Sequence, residues 1–464
     1  VSKINECAFR GTKIEKIELS GGRADADTSL TIAMDAFSDC NHLEDITGGY
    51  RVSEVGWYAF DSCVNLKNMD IGMGLKKIDA AFERCRSLRK ICLSNKIEDI
   101  NGGAFSEGAC KEFSVEDGSE SYKSIDGCLY KIVDSEKDDL KLMYAANTTD
   151  FKYATPENVT EADMCAFRGR DNIKEIDIGG EIEELSWYSL INCSNLETLK
   201  LSSKLKSFDR DMTAYSFDND LTNLKNIIVD EGNTEYESYN NELFEKGKKN
   251  LILLPYGSDS IVIPKETEYI CGGIAKNKFK NIKVEDGNKY FSVNSNVLYN
   301  KDITEIIIFP SYKTTYTLPA TLKEFPSMTY RYTEDYLDIE GEAWITRADE
   351  NLECVKVAKG NEVYKAVDGV LYLKNTKQLE YYPPAKKGSY KIIEGTKYVN
   401  NAAFIYTKYL TSLTVPDSVK SIIISPKDSE SLKEITVPVK CEVIKMTKRE
   451  GSGVKVYRSL VLKC

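Results

Sequence analysis

The sequence predicts a repeat solenoid, in which coils of about 23 residues stack to form a parallel β-sheet along one face. The first observation is a series of Ala-Phe pairs, separated by 23, 22 and 23 residues, that begin at Ala36, Ala59, Ala81 and Ala104. The second is a set of apolar residues that recurs around each pair with the same period. The third is a cysteine three residues after the phenylalanine in the first three copies, at Cys40, Cys63 and Cys85.

The alternation of apolar and polar residues assigns a strand and a corner to each coil. The stretch from Leu66 to Ile71 ends in such an alternation, which is typical of a half-buried strand. Stacked copies of this strand predict the parallel sheet. The Ala-Phe segment is expected to be the return path, where alanine lets backbones approach and phenylalanine fills the interior. Burying one such phenylalanine contributes roughly 1.5–3 kcal/mol.

A second kind of unit interrupts the coils four times. It starts at Val115, Val229, Val284 and Val357. Each copy has a glycine-centred turn, a tyrosine or phenylalanine, an apolar stretch, and a polar turn before another apolar stretch. This pattern predicts a β-hairpin.

Coils and hairpins together predict the organisation of the chain. We expect leucine-rich coils over residues 1–114, a hairpin insertion over 115–159 and further coils over 160–229. Degenerate repeats alternating with hairpins are expected over 230–398, and C-terminal repeats with a cap over 399–464.

The repeated unit Leu-x-x-Ile-x-Leu…Leu-x-x-Ile-x-x-x-Ala-Phe-x-x-Cys resembles the BspA-like class of leucine-rich repeat surface proteins. The hairpin sequence from Asp368 to Tyr372, followed by Tyr-Tyr-Pro-Pro, is also similar to that family. The resemblance covers residues 4 to about 437. It implies an extracellular or surface-displayed binding protein, often an adhesin for host proteins or other cells, with its signal sequence presumed removed. It supplies no binding residues that can be transferred to this chain.

Composition restricts the possible partners. The chain has 464 residues, a formal net charge of −11 and 42% hydrophobic residues. This hydrophobic fraction is ordinary for a soluble, folded protein. Nucleic-acid binding needs clustered Lys and Arg, so a nucleic-acid partner is not expected. No apolar run reaches the roughly 18–20 residues of a transmembrane segment.

The repeated cysteines are the first candidates for chemistry. Cys40, Cys63, Cys85 and Cys193 share the inward, apolar register, which favours burial as core residues. Occasional disulfides and metal or redox chemistry are the alternatives, but no CxxC or neighbouring histidine supports a metal site. The single histidine, His42, is expected to be exposed to solvent. We therefore predict no enzyme, no metal and no cofactor.

Two Trp-Tyr pairs, Trp57-Tyr58 and Trp187-Tyr188, occupy the same repeat position. Exposed aromatic residues bind sugars or proteins, but packing between adjacent coils is the favoured interpretation.

The sheet offers the best surface for a ligand, because polar side chains flank each inward strand residue and lie in register. The candidate ligand face consists of Lys16, Glu18, Asp45, Asn68, Asp70, Lys90, Glu175, Asp177 and Lys200. Its mixed charges suit a polar protein surface or a glycan; ordinary solvated residues are the alternative.

The leading hypothesis is a secreted or cell-surface binding module that adheres to host proteins, glycans or other cells. The alternative is a structural stalk or spacer that presents another domain and has no ligand of its own.

Overall fold

Short β-strands joined by turns make up almost all of the described chain. The computed structural model describes residues 1–19, 29–71, 74–148, 151–208, 221–271, 274, 279–310, 312–325, 329–332, 337–340, 350–404, 407–424, 431–445 and 455–459. A 3-10 helix lies at Trp187–Leu190. The chain divides into two units, residues 1–256 and 257–464. Residues 446–454 and 460–464 of the predicted C-terminal segment lie outside the described residues.

Each of the early coils contributes two short strands to two separate parallel sheets. One strand, such as Asn68–Met69, lies where the alternation predicts it. The other, such as Lys77–Ile78, lies on the return path just before the Ala-Phe corner. The sequence interpretation had one sheet and therefore missed the second. Buried backbone N–H and C=O groups need partners, so stacked coils also pair along the return path, where Leu75 and Ile78 are buried.

The parallel strands of the first unit form five groups along the described part of the chain. The return-path sheet contains Lys3–Ile4, Leu30–Ile32, Val52–Val55, Lys77–Ile78 and Asp99–Ile100. The predicted face contains Lys16–Glu18, Asp45–Thr47 and Asn68–Met69, then Lys90–Leu93 with Glu112–Val115. After the first hairpin come Phe151–Ala154, Ile173–Ile178, Thr198–Leu201 and Asn226–Val229, and separately Glu184–Leu185 with Ser207–Phe208.

The two hairpins within residues 1–256 follow the predicted pattern. The first consists of the antiparallel strands Tyr122–Ile125, Cys128–Asp134 and Asp139–Tyr144, and Val159–Ala162 adds to it in parallel. The second consists of Tyr236–Tyr239, Glu242–Glu245 and Asn250–Leu253.

The second unit alternates coils and hairpins in the same way. Its parallel pairs are Ser260–Ile263 with Asn281–Val284, Thr315–Leu318 with Cys354–Val357, and Ser421–Ile424 with Glu442–Lys445. Its four-stranded parallel sheet is Gly388–Lys391, Leu410–Thr414, Glu434–Pro438 and Lys455–Ser459. Its hairpin units are Phe291–Asn294, Val297–Asn300 and Ile306–Ile308; Tyr364–Val367, Val370–Leu373 and Gln378–Tyr381, with Tyr398–Val399; and Thr329–Tyr332 with Leu337–Glu340. A further short strand is Tyr269–Ile270.

The Ala-Phe corners stack directly on one another in the first unit. The Phe60 N–H donates to the Ala81 carbonyl of the next coil at 2.8 Å, and the corresponding bond recurs at Phe37. The rings of Phe60 and Phe82 are nearly parallel, with centroids 5.1 Å apart. The stack runs through Phe9, Phe37, Phe60, Phe82 and Phe105. Small alanines and in-register phenylalanines therefore build one continuous core, as the repeat predicts.

The repeated cysteines are core residues, which confirms the favoured interpretation. Cys63 and Cys85 are fully buried, and burial raises the pKa of both thiols. Each thiol also donates to the phenylalanine carbonyl of the preceding coil, and the same bond recurs after the hairpin insertion, from Cys193 to Phe167 at 3.0 Å. The thiol thus adds a second hydrogen bond to a carbonyl that already accepts from a backbone N–H group of its own corner.

An asparagine fixes three of the hairpin turns. The Asn288 amide donates to the carbonyls of Pro264 and Thr267 at 2.8 and 3.0 Å. Its side-chain oxygen accepts from the Tyr290 and Phe291 N–H groups. Asn233 and Asn361 make the corresponding four bonds in their own hairpins. The Gly-Asn pair of each hairpin therefore stabilises a turn, as glycine and asparagine are expected to do.

Arg170 joins the coils on either side of the first hairpin. It follows Phe167 by three residues, at the place where other corners carry cysteine. Its fully buried guanidinium donates from Nε to the Ala145 carbonyl at 2.8 Å and from Nη1 to the Gly108 carbonyl at 3.0 Å. It also reaches the Phe105 carbonyl at 3.4 Å. A long side chain stands here because the hairpin separates the two corners.

Candidate ligand-binding surface

The first part of the predicted ligand face is a hydrogen-bonded row across three coils. Strand pairing places Lys16 opposite Asp45, and Asp45 opposite Asn68. The Asp45 carboxylate accepts from Asn68 Nδ2 at 2.6 Å and lies 3.3 Å from Lys16 Nζ. The hydrogen bond from Asn68, followed by that from Lys16, lowers the pKa of Asp45. The carboxylate is thus held ionised between two donors.

Two other predicted residues flank this row. Glu18 lies opposite Thr47 on the neighbouring strand. Asp70 lies just beyond its strand and accepts from the Gly48 N–H at 3.4 Å. Both side chains are exposed. Gly49, the next residue, has no room for a side chain, because a Cβ would lie 2.6 Å from the Asp70 carbonyl oxygen. The close approach of these two coils therefore depends on glycine.

Lys90 forms the next pair along the chain. It lies opposite Glu112, and its Nζ is 2.9 Å from Glu112 Oε1. The hydrogen bond to Glu112 raises the pKa of Lys90. Glu112 was not among the predicted residues, although it follows Lys90 by one repeat of 22 residues. Comparing equivalent positions in successive coils would have found it.

The second part of the face lies after the hairpin insertion. Lys200 Nζ lies 2.5 Å from Glu175 and 3.5 Å from Asp177. Lys152, on the preceding strand, lies 3.0 Å from Glu175. The sequence analysis did not include Lys152 in the ligand face. The hydrogen bonds from Lys200 and then Lys152 lower the pKa of Glu175. The three coils therefore share one cluster of opposite charges.

We call these paired residues the polar ladder, and it consists of Lys16, Asp45, Asn68, Lys90, Glu112, Lys152, Glu175, Asp177 and Lys200. Its charges alternate from coil to coil, except at the neutral Asn68. Exposed ion pairs of this kind contribute only about 0–1 kcal/mol each. The ladder can offer hydrogen-bond donors and acceptors to a polar partner, but it presents little net charge.

The two Trp-Tyr pairs differ from each other. Trp187 is buried and packs edge-on against Phe208 with ring centroids 5.8 Å apart, as predicted. Trp57 has 43% of its surface exposed, so the packing prediction is wrong there. The residue equivalent to Phe208 in the coil after Trp57 is Ile78, which is not aromatic, because Val55 pairs with Ile78 as Leu185 pairs with Phe208. Packing at this position depends on which side chain the following coil supplies.

Among the described residues, the metal-binding alternative gains no candidate site. His42 is exposed, as predicted. Within the described ranges, no three His, Cys, Asp or Glu side chains converge as a metal site would require. The twelve described cysteines are free thiols. No described helix has the length and apolar character needed to cross a membrane.

Stacked coils, an inward apolar repeat and parallel strands define a leucine-rich repeat solenoid. The family model for the BspA type leucine-rich repeat region matches residues 2–131, 144–250 and 386–448, in 6 copies. The chain belongs to this family. Among curated proteins, none matches the chain significantly.

Several solved structures are similar to the chain at low identity. The pneumococcal vaccine antigen PcpA is 14% identical, with 99% of this chain and 85% of that chain covered and a TM-score of 0.30. A leucine-rich repeat protein from Eubacterium ventriosum is 13% identical, with coverage of 91% and 85% and a TM-score of 0.35. A leucine rich cell surface protein from Faecalibacterium prausnitzii is 12% identical, with coverage of 94% and 89% and a TM-score of 0.23.

Proposed function

We propose that the chain is a secreted or cell-surface binding module, without enzymatic activity, that adheres to host proteins, glycans or other cells. The observation that carries this proposal is the polar ladder, a set of exposed and half-buried side chains that pair in register within three groups of parallel strands. Solenoids use such extended surfaces to bind large partners. Membership of the BspA-type family supports the same function.

The chemistry of the ladder favours a partner that hydrogen-bonds along its length. Asp45 and Glu175 each hold two donors, and their side chains remain 23% and 21% exposed. Because the lysines and carboxylates neutralise one another, a neutral polar surface fits better than a strongly charged one. Glu18 and Asp70 extend the surface beside the first row.

The experiment measures binding of the chain to an array of immobilised extracellular-matrix proteins and neutral glycans. The variant Glu175→Gln with Lys200→Gln removes two ladder charges without changing net charge. We expect it to weaken binding roughly tenfold or more, the equivalent of about 1.4 kcal/mol.

The matched control is Glu183→Gln with Lys206→Gln. This pair is also exposed and is 2.5 Å apart, but it lies beside the strands Glu184–Leu185 and Ser207–Phe208, outside the ladder. We expect it to bind like the unaltered chain. Equal losses in both variants would show that the ladder is not the contact surface.

The lysines and carboxylates of the ladder pair with one another, so these side chains need no ligand. This observation also fits the stalk or spacer function. An array on which the unaltered chain binds nothing would favour this second function. Fractionation of source cells tests the location: the product is expected at the surface or in the medium, and a purely cytosolic product would contradict both functions.

A further inference from the structure

A polar groove lies beside the junction that Arg170 makes in the first unit. It encloses about 540 Å³, which is within the range of small-ligand sites. Three exposed cations line it: Arg86, Arg89 and Lys111. Within the described part of the chain, none of the three side chains forms an ion pair or a hydrogen bond.

The two carboxylates of the groove already have partners. Glu107 lies 2.6 Å from the Arg168 guanidinium. Asp171 accepts from the side-chain amides of Asn147 and Asn172 at 2.9 and 3.0 Å. The cations therefore remain available to an incoming ligand, whereas the acids are occupied.

Arg89 and Lys111 are stacked on adjacent coils. The Lys111 N–H donates to the Arg89 carbonyl at 2.7 Å, one residue before the opposed pair Lys90 and Glu112. Lys90 and Glu112 carry opposite charges and face each other across the strands. Arg89 and Lys111, one residue earlier in each coil, carry like charges. Like charges on neighbouring strands destabilise a sheet. An anion bound between these two exposed cations would offset their mutual repulsion.

The buried charge of Arg170 adds to the positive potential. Its described polar contacts are backbone carbonyls, and one of them, Gly108, lines the groove. A charge in the protein interior is screened less than one in water. The groove is thus a local positive site on a chain whose net charge is −11.

Glycine allows the two sets of coils to approach each other closely beside this groove. Gly169 has a φ of +74°, and a Cβ there would lie 2.3 Å from Glu107 Cα. The coils on either side of the hairpin can approach only because this side chain is missing. The backbone at this position therefore forms part of the groove wall.

The lining selects a class of ligand. Its largest aliphatic side chain is Ala109, and it contains no aromatic residue. A peptide partner would find no apolar anchor of the kind that dominates protein interfaces. Guanidinium groups match sulfate and carboxylate groups through paired hydrogen bonds. The amide of Asn172 and the hydroxyl of Ser194 suit sugar hydroxyls.

We propose that this groove binds an anionic polysaccharide, sulfated or carboxylated, through Arg86, Arg89 and Lys111. The groove shares no residue with the polar ladder, although Arg89 and Lys111 directly precede the ladder residues Lys90 and Glu112.

Binding of fluorescein-labelled oligosaccharides to the full chain, followed by fluorescence anisotropy, tests the proposal. A heparin-derived hexasaccharide supplies sulfates, an oligogalacturonate supplies carboxylates only, and dextran is the neutral control. We expect at least one anionic probe to bind and dextran not to bind. Binding of the oligogalacturonate would show that carboxylates suffice, whereas binding of the heparin fragment, which carries both groups, without the oligogalacturonate would show that carboxylates alone do not.

The variant Arg86→Gln, Arg89→Gln, Lys111→Gln is expected to lose roughly tenfold or more in affinity for the anionic probe. Removing the like-charge stack should leave its melting temperature unchanged or slightly raised, which separates lost binding from misfolding. The matched control Lys3→Gln, Lys13→Gln, Lys96→Gln removes the same charge from exposed lysines outside the groove. It should keep its affinity within about twofold.

Three results would overturn the proposal: no binding of either anionic probe, equal losses in both triple variants, or tighter binding of a poly-glutamate peptide than of both glycans. The last result would assign the groove to acidic peptides. The ladder variant Glu175→Gln with Lys200→Gln should bind the anionic probe normally, so failure of this proposal leaves the ladder's function untouched.

Discussion

The thiol of Cys63 donates a hydrogen bond to the carbonyl of Phe37, one coil earlier, at 3.2 Å. This contact explains why the repeat carries cysteine rather than another small apolar residue at the corner. The side chain fills the interior and also gives a second hydrogen bond to a carbonyl that already accepts from the Cys40 N–H at 3.2 Å. Its function is structural.

The first prediction concerns this corner. Phe60 stacks on Phe37 and Phe82 with centroids 5.2 and 5.1 Å away, so Phe60→Ala should lower the free energy of unfolding by roughly 3–5 kcal/mol. Cys63→Ala removes one atom and one weak hydrogen bond and should cost about 1–2 kcal/mol. Denaturant unfolding of both variants measures the difference. Equal costs would contradict the assignment of the ring stack as the main contributor.

The second prediction concerns thiol reactivity. Cys7 and Cys92 are exposed, whereas burial raises the pKa of Cys128 to about 11 and that of Cys110 to about 12. The thiolate is the reactive form. Ellman's reagent should therefore modify the two exposed cysteines in the native protein, and the buried ones only after unfolding.

Cys464 lies outside the described residues, so the reaction is best followed in a Cys464→Ser background. Adding Cys7→Ser and Cys92→Ser should abolish the fast phase. Rapid modification of Cys63 or Cys85, detected by peptide mapping, would mean that the coils open far more readily than their packing indicates.

The third prediction concerns Arg170. Replacing it with methionine leaves the carbonyls of Ala145, Gly108 and Phe105 without this donor. An unsatisfied buried acceptor costs about 1–3 kcal/mol, so Arg170→Met should destabilise the first unit by roughly 3 kcal/mol or more. Arg89→Met, at an exposed and unpaired position, is the control and should change stability by less than about 0.5 kcal/mol. Similar unfolding midpoints for the two variants would show that Arg170 does not stabilise the junction between the coils on either side of the first hairpin.

The fourth prediction concerns pH. The Glu242 carboxyl is buried, and desolvation raises its pKa from the usual 4.5 to about 7. Folding therefore favours the protonated form. As the pH rises above 4.5, the unfolded chain ionises first and the folded state loses relative stability, until the effect is complete above pH 7. With ~1.4 kcal/mol for each pKa unit, the total is about 3 kcal/mol.

Glu242→Gln removes this titration. The variant should gain about 3 kcal/mol relative to the unaltered chain between pH 4.5 and 7.5. Chemical unfolding at the two pH values measures the change. Glu231→Gln, an exposed residue of the same hairpin unit, should show less than about 0.5 kcal/mol at either pH. A pH-independent difference for Glu242→Gln would refute the raised pKa.

Local patterns predicted much of the candidate site. The strand alternation placed Lys16, Asp45 and Asn68 on one face, since side chains two residues apart on a strand point the same way. It did not supply their pairing, because the partner of a charge depends on the register between coils. Glu112 and Lys152 were missed for this reason, and the role of the nine predicted residues in binding stays a prediction.

The amino-acid sequence by itself determined the coil, the Ala-Phe corner, the buried cysteine and the hairpin turns, because each is encoded within one repeat of 22 or 23 residues. Only the tertiary structure decided what happens between distant coils. Arg170 reaches Gly108 across 62 residues of sequence, and the groove beside them exists because the hairpin insertion brings these two corners together. No local period encodes that approach, since it depends on how the insertion packs against both sets of coils.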